Sequence, residues 1–186
     1  MHAIIFLLIA LLALPAQADT TDAGSVDVKV EIDGEVVRVD AAFSVAATRE
    51  QAWAVLTDFD HLADFISNLK SSSIVAKSAD SVTVAQKGKA SAGPLSFSFE
   101  SVREIRMTPM EEIRSHVISG NMKRFDGVTR LLPEAAGMRI LFHSEAIPNA
   151  WIPPLIGRRF IASETREQLQ EMRAEILRRK LAAADK

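Results

Sequence analysis

The chain contains no cysteine and no tyrosine among its 186 residues. Without cysteine the protein has no disulfide bond, no thiolate nucleophile and no cysteine-based zinc site. Without tyrosine it lacks a phenolic acid or base. The formal net charge is only −2, so nothing in the overall charge favours binding to nucleic acid. Several classes of catalyst and of binding protein are therefore excluded.

Long apolar runs are also scarce, and the one that stands out lies at the N terminus. Residues 3–14 are continuously apolar and are followed by Ala16-Gln17-Ala18. The run is shorter than the roughly 20 residues of a bilayer span, and the small-x-small triplet is typical of a signal-peptidase site. We therefore predict a signal peptide over residues 1–18 and a periplasmic or secreted protein. An uncleaved N-terminal anchor is the alternative, because the first residues carry no Lys or Arg.

The rest of the chain has the length of one domain. No repeat, linker or low-complexity segment interrupts it. We predict a single domain over residues 19–181, a frayed tail over residues 182–186 and a monomer.

Alternating apolar and polar residues predict most of the chain to be β-strand. Residues 26–32 and 36–45 alternate strictly, and Asp33-Gly34 between them predicts a type I′ hairpin turn. Short strands with ordinary turn residues between them follow later, which favours an antiparallel meander. These strands are predicted over residues 72–77, 82–88, 95–107, 112–118, 125–132 and 138–146.

Helices are predicted at two places. Thr48 and Gln51 have capping-box spacing for a short helix over residues 49–56, and Asp58 is placed to cap a second one. Pro153 and Pro154 introduce a final helix of about 25 residues with one apolar stripe, a pattern typical of a packed helix. The stripe comprises Leu155, Ile156, Phe160, Ile161, Leu169, Met172, Ile176 and Leu177.

The long helix has to bury its stripe, and the concave face of the sheet is its available partner. The predicted fold class is therefore α+β. A curved antiparallel sheet of seven or eight strands surrounds a long C-terminal helix, with two short helices after the first core strand.

Four segments of the chain resemble one protein family. They are residues 50–59 (EQAWAVLTDF), 64–72 (DFISNLKSS), 120–127 (GNMKRFDG) and 152–160 (IPPLIGRRF). In their order and spacing the chain resembles the START-like helix-grip superfamily (SRPBCC), in its polyketide cyclase and coenzyme Q-binding branch. The resemblance covers about residues 36–177.

The resemblance implies a hydrophobic cavity that holds lipids, quinones or polyketide-like compounds non-covalently. Relatives include enzymes as well as carriers, so kinship does not determine the activity. The side chains predicted to contact the ligand are apolar and face the helix, although the same positions also suit a filled core. They are Phe43, Val84, Phe97, Phe99, Ile140, Phe142, Trp151, Leu155 and Phe160.

The inward faces of the predicted strands are almost wholly apolar, which favours a container over a catalyst. Strand alternation places His116 and His143 on the outer face. His143 and Glu145 are a weak metal-site pattern, and Asp58 and Asp60 are more typical of helix caps than of an acid–base pair. We therefore predict no catalytic residues, no metal and no cofactor.

The predicted function is an exported carrier for a hydrophobic small molecule, with transient contact to a membrane and no nucleic-acid partner. Two alternatives remain open. A cyclase or dehydratase would need an ionisable group inside the cavity. A protein-interaction module would have a filled core.

Overall fold

Eight antiparallel strands form one curved sheet in the computed structural model, which describes residues 25–92, 95–149 and 152–184. The predicted signal peptide and its cleavage site lie outside the described residues. The elements are β1 (Val26–Asp33), β2 (Val36–Val45), α1 (Arg49–Leu56), a 3₁₀ helix (Phe59–Asp64), β3 (Leu69–Lys77), β4 (Ser81–Ala92), β5 (Leu95–Thr108), β6 (Glu112–Gly120), β7 (Met122–Glu134), β8 (Gly137–Pro148) and α2 (Pro154–Ala184).

The strand order in the sheet is β1-β2-β8-β7-β6-β5-β4-β3. Neighbouring strands are consecutive in the chain, except that β2 pairs with β8. This pairing joins the N-terminal hairpin to the last strand of the chain. The predicted α+β class, the antiparallel meander and the two short helices are confirmed. The strands are longer than the alternation predicts, because the hairpin tips continue the backbone ladder beyond the apolar positions.

The first hairpin has a different turn from the predicted one. Asp33 pairs with Val36, so the two-residue loop is Gly34-Glu35. Gly34 has φ +59°, whereas Glu35 does not have a positive φ. A positive φ at the first loop position alone is typical of a type II′ turn, so the type I′ prediction is wrong.

One end of the sheet is closed by the two short helices. Thr48 and Gln51 form the predicted capping box, with Oγ1 of Thr48 accepting from the Gln51 amide and Oε1 of Gln51 accepting from the Thr48 amide. Asp58 stands at the N-cap of the 3₁₀ helix but makes no capping bond. Its carboxylate instead contacts His61 and Arg179 of α2, so the predicted capping role is wrong.

A packed core fills this closed end. It joins the inward positions of the sheet to α1 and to the C-terminal half of α2. Five large side chains of this core are less than 2% exposed, which is typical of a close-packed interior. They are Phe43, Ile140, Ile176, Val55 and Val84.

Helix α2 lies against β1 and β2, and basic side chains attach it there. Arg166 Nε donates to the Val26 carbonyl at 3.4 Å, and Arg173 Nε donates to the Ser44 carbonyl at 2.9 Å. The helix includes residues 182–184, which belong to the predicted frayed tail. In the described part of the chain, no helix combines the length and the apolar character of a membrane span.

An ion-pair network centred on the buried Glu175 carboxylate lies within α2, and Arg179 extends it to Asp58 at the closed end. Arg178 and Arg179 both donate to the Glu175 carboxylate, and Arg179 also donates to Asp58. Hydrogen bonds from Arg178 and Arg179 outweigh desolvation and hold the pKa of Glu175 below its usual value. Burial raises the pKa of Asp58, but hydrogen bonds from His61 and Arg179 outweigh it and the net shift is downward.

We predict that Glu175→Gln removes a pH-dependent part of the stability. A carboxyl with a lowered folded-state pKa stabilises the fold above its unfolded pKa of about 4.3, and that stabilisation is lost as the pH falls. The variant should be less stable than the wild type by about 1–3 kcal/mol at pH 6. The difference should shrink toward pH 3. Urea unfolding followed by circular dichroism at both pH values measures it.

The matched control is Glu31→Gln, which removes an exposed carboxylate paired with Lys29. Its effect should be small at both pH values, because exposed ion pairs contribute little. Equal losses for the two variants would contradict the role given to Glu175.

Candidate functional site

The space between the sheet and α2 has two unlike halves. Three of the predicted ligand contacts, Phe43, Val84 and Ile140, belong to the packed core at the closed end and are at most 1% exposed. Side chains that are so completely buried contribute mainly to the stability of the fold. Their contact with a ligand stays a prediction.

Phe97, Phe99 and Phe160 lie toward the opposite end, which we call the mouth and define by Phe97 of β5 and by Ile156 and Phe160 of α2. Phe97 of β5 is 46% exposed, and its ring lies 5.3 Å from that of Phe160 of α2. Ile156 is also exposed there. Trp151 and the side chain of Leu155 lie outside the described residues. An exposed apolar rim of this kind is suited to receiving an apolar molecule.

Aromatic rings form much of the inner wall between the mouth and the packed core. Phe99, Phe125 and Phe142 occupy inward strand positions and are half-buried. All three keep some accessible surface, although Phe142 also packs against a second buried cluster formed by Ile32, Val37 and Val39. The described residues therefore leave part of this wall uncovered, unlike the core at the closed end.

Two glycines let these rings lie against the sheet. A Cβ at Gly88 would come within 2.3 Å of the Phe99 ring, and a Cβ at Gly127 within 3.0 Å of the Phe125 ring. Real Cβ atoms do not approach other atoms so closely without displacing them. The absence of a side chain at these two glycines thus leaves room for the rings beside the sheet.

The inner face also carries a charged side chain, Arg103 of β5. It shares strand parity with Ile105 and Met107, so it points toward the interior. The expectation that the inward faces are almost wholly apolar is therefore wrong at this position. The alternation within residues 95–107 does predict an inward Arg103, because Arg103 lies an even number of residues from Phe97 and Phe99, which face inward on the same strand.

Arg103 is held in place without a counter-ion. One guanidinium Nη donates to Oε1 of Gln86, and the guanidinium lies over the Phe125 ring, 5.5 Å from its centroid. Gln86 in turn donates to Ser72 Oγ at 3.0 Å. Among the described residues, no carboxylate pairs with Arg103. Burial alone lowers the pKa of Arg103 to about 10, so the guanidinium stays charged at neutral pH.

Further polar groups share this wall. The Nε of Arg103 and the Oγ of Ser115 are buried and have no hydrogen-bond partner. Ser115 of β6 is paired with Ile105 of β5, two residues along the strand from Arg103. Such diagonal neighbours are about 7–8 Å apart at the backbone, within reach of a long side chain. Two unsatisfied donors thus lie close together on one interior face.

The outer face carries the histidines, as the alternation predicts. His116 Nδ1 lies 2.7 Å from Asp126, and His143 Nδ1 lies 2.7 Å from Asp40. Glu145 is bound by Arg38 and Arg124, so it forms no pair with His143. No group of three side chains suited to a metal ion occurs in the described ranges.

Asp60 also has a structural role. Its Oδ1 accepts a hydrogen bond from the amide of Ile74 in β3 at 2.7 Å. The carboxylate thus ties the 3₁₀ helix to the sheet and does not form an acid–base pair with Asp58, which is bound to α2.

A broad depression of about 770 Å³ spans β1, β2, β8 and β7; most of its lining faces outward, although the inward-facing Ala41 and Phe142 also contribute to it. Much of its lining is charged, including Asp27, Lys29, Asp40 and Arg130, and it is open to solvent. Such a surface suits water better than an apolar ligand. The interior wall is the better candidate site, because only there do apolar rings surround a few convergent polar groups.

Comparison with known proteins agrees with this geometry. The model of a family described as polyketide cyclase / dehydrase and lipid transport matches residues 45–173. No curated protein sequence matches the chain significantly.

Solved structures share the fold at low sequence identity. The Zhui aromatase/cyclase from Streptomyces sp. R1128 is 16% identical, with a TM-score of 0.68 over 80% of this chain and 98% of that one. A STAR-related lipid transfer protein from Xanthomonas axonopodis is 15% identical, with a TM-score of 0.68 over 83% and 95%. Human STARD10 is 11% identical, with a TM-score of 0.62 over 82% and 69%.

Proposed function

Because the chain belongs to the polyketide cyclase / dehydrase and lipid transport family, we propose that it is an exported protein that holds a hydrophobic small molecule between the sheet and α2. The observation that carries the proposal is the uncovered aromatic wall formed by Phe99, Phe125 and Phe142. Similar folds in an aromatase/cyclase and a lipid transfer protein support the same class of ligand. Lipids, quinones and polyketide-like compounds all belong to it.

Binding would need no chemistry on the ligand. Burial of apolar surface contributes roughly 25 cal/mol per Å², less the loss of motion on binding. The ligand would enter at the mouth, where Phe97 and Ile156 are exposed. The first turns of α2, which border the mouth, would act as the gate. The exposed apolar rim would also allow transient contact with a membrane during loading.

A cyclase or dehydratase is the second candidate function, and Arg103 is the observation that favours it. An interior cation can stabilise negative charge that develops on a carbonyl oxygen during such reactions. A proton-transfer partner is also needed, but His116 and His143 lie on the outer face of the sheet and His61 is exposed on the 3₁₀ helix. The carrier is therefore the better-supported function. The uncovered wall also speaks against an interaction module with a filled core.

Native mass spectrometry of protein isolated gently from the periplasm tests the carrier and its export together. We expect a mass that begins at Asp19 and a co-purified apolar compound at near-stoichiometric amount. A chain that retains residues 1–18 would contradict cleavage. A ligand-free mass after exposure to lipid and quinone extracts would contradict the carrier.

The neutral dye Nile red gives a second measure of the apolar interior. We expect binding by the wild type and an affinity about five- to tenfold weaker for Phe99→Ala, since a part of the aromatic wall is lost. Val75→Ala is the matched control, because Val75 is an exposed apolar side chain on β3. Equal effects of the two variants would place the dye elsewhere on the surface.

A further inference from the structure

The interior wall contains a positive charge for which none of the described residues provides a counter-ion. Arg103 is deeply surrounded by protein, and burial is the one cause that shifts its pKa. The charged side chains of the outer face, by contrast, are extensively paired with one another, as Arg38 and Arg124 are with Glu145. A buried charge without an opposite charge lowers stability considerably. Its presence at this position therefore calls for a compensating group.

The hydrogen-bonding inventory points the same way. In the described part of the chain, Arg103 Nε and Ser115 Oγ are the two buried side-chain atoms without a partner. Both can donate a hydrogen bond, and they lie on adjacent strands of the same face. The missing partner is therefore an acceptor, and beside a guanidinium an anionic oxygen is the strongest acceptor.

The guanidinium is oriented in advance. Gln86 accepts from one Nη atom, and its own amide is fixed by Ser72, whose Oγ donates to the Phe59 carbonyl. The Phe125 ring supports the guanidinium on one side. The Nε–H and the remaining Nη–H bonds stay available as a fork, which matches the two oxygens of a carboxylate.

We propose that the ligand is a hydrophobic carboxylic acid whose carboxylate binds Arg103 and Ser115 inside the sheet–helix interior. This inference rests on the proposed function and specifies the class of its ligand. The single negative charge neutralises the single positive charge of Arg103. The apolar part of the acid lies along the aromatic wall toward Phe97 and Phe160 at the mouth, so the acid enters carboxylate first.

Displacement of Nile red by matched pairs of compounds tests the proposal. Dodecanoate is compared with dodecanol, and anthracene-2-carboxylate with 2-anthracenemethanol. Each pair differs at the polar group, so the acid/alcohol ratio reports the carboxylate site. The better pair distinguishes a fatty-acid source from a polycyclic one. We expect the wild type to bind the acid of at least one pair ten- to a hundredfold more tightly than its alcohol.

Variants locate the preference. Arg103→Gln should abolish the acid preference while alcohol affinity stays within about threefold, and Ser115→Ala should reduce it several-fold. Arg103→Lys should keep part of the acid preference, since the positive charge remains but the paired N–H donors of the guanidinium are lost. Arg106→Gln on the outer face of the same strand is the matched control and should keep it all. Circular dichroism checks that each variant is folded.

Three results would overturn the inference in distinguishable ways. Equal affinity for acid and alcohol would disprove the carboxylate site and leave the carrier standing. Stronger displacement by didodecyl phosphate than by either acid would assign the site to a phosphate ester. Absence of Nile red binding together with failure of all four compounds to bind would remove the proposed function itself.

Discussion

Replacing Phe43 by alanine should lower the free energy of unfolding by about 3–5 kcal/mol. Phe43 is 1% exposed and lies in the sheet between Val26 of β1 and Ile140 of β8. Truncation would remove the ring from a close-packed core, which cannot collapse around the space. Urea unfolding followed by circular dichroism at neutral pH measures the loss.

Phe97→Ala is the matched comparison, because it deletes the same atoms at the mouth. With 46% of Phe97 exposed, we expect a loss of stability of about 1 kcal/mol or less. Nile red affinity should fall instead. A loss as large as that of Phe43→Ala would show that the mouth is a packed part of the core, and would contradict its role as the entrance.

The double variant Gln86→Leu/Arg103→Met should be more stable than the wild type by about 1–3 kcal/mol. Arg103 is desolvated and no described carboxylate pairs with it, and the amide group of Gln86 is hydrogen-bonded to both Arg103 and Ser72. Replacing both side chains by apolar ones of similar size removes the buried charge without leaving its acceptor unpaired. Thermal unfolding and urea titration of the ligand-free protein measure the gain.

The single variant Arg103→Met is the control for the pair. It leaves Oε1 of Gln86 without its hydrogen-bond donor, so its stability should increase less than that of the double variant. Functional sites are commonly retained at the expense of stability. A gain in stability together with lost acid preference would therefore be the signature of a binding residue. A loss of stability in the double variant would show that the Arg103 network is structural.

The alternation of apolar residues predicted the sheet well, because local sequence alone determines which residues can share one face of a strand. The outward positions of His116 and His143 followed from it, and so did the inward position of Phe99. Arg103 obeys the same alternation. The residue type alone does not predict its inward position, because an arginine is ordinarily expected on the solvent-facing side of a strand.

The helices show where local prediction stops. The capping box of Thr48 and Gln51 is formed within four residues, so its prediction is confirmed. Asp58 has the same local signal but binds Arg179, a residue far along the chain. A long-range ion pair of this kind leaves no trace in the residues around Asp58.

The sequence by itself determined the order of the strands and helices, the α+β class and the faces of the sheet, because these depend on neighbours in the chain. Only the tertiary structure decided that Phe43 lies in solid packing while Phe97 stands at an exposed rim, and that Arg103 meets Gln86 and Phe125 but no carboxylate. Those differences depend on how densely distant segments surround a side chain. The packing density around a side chain therefore decides whether that residue stabilises the core or is accessible to a ligand.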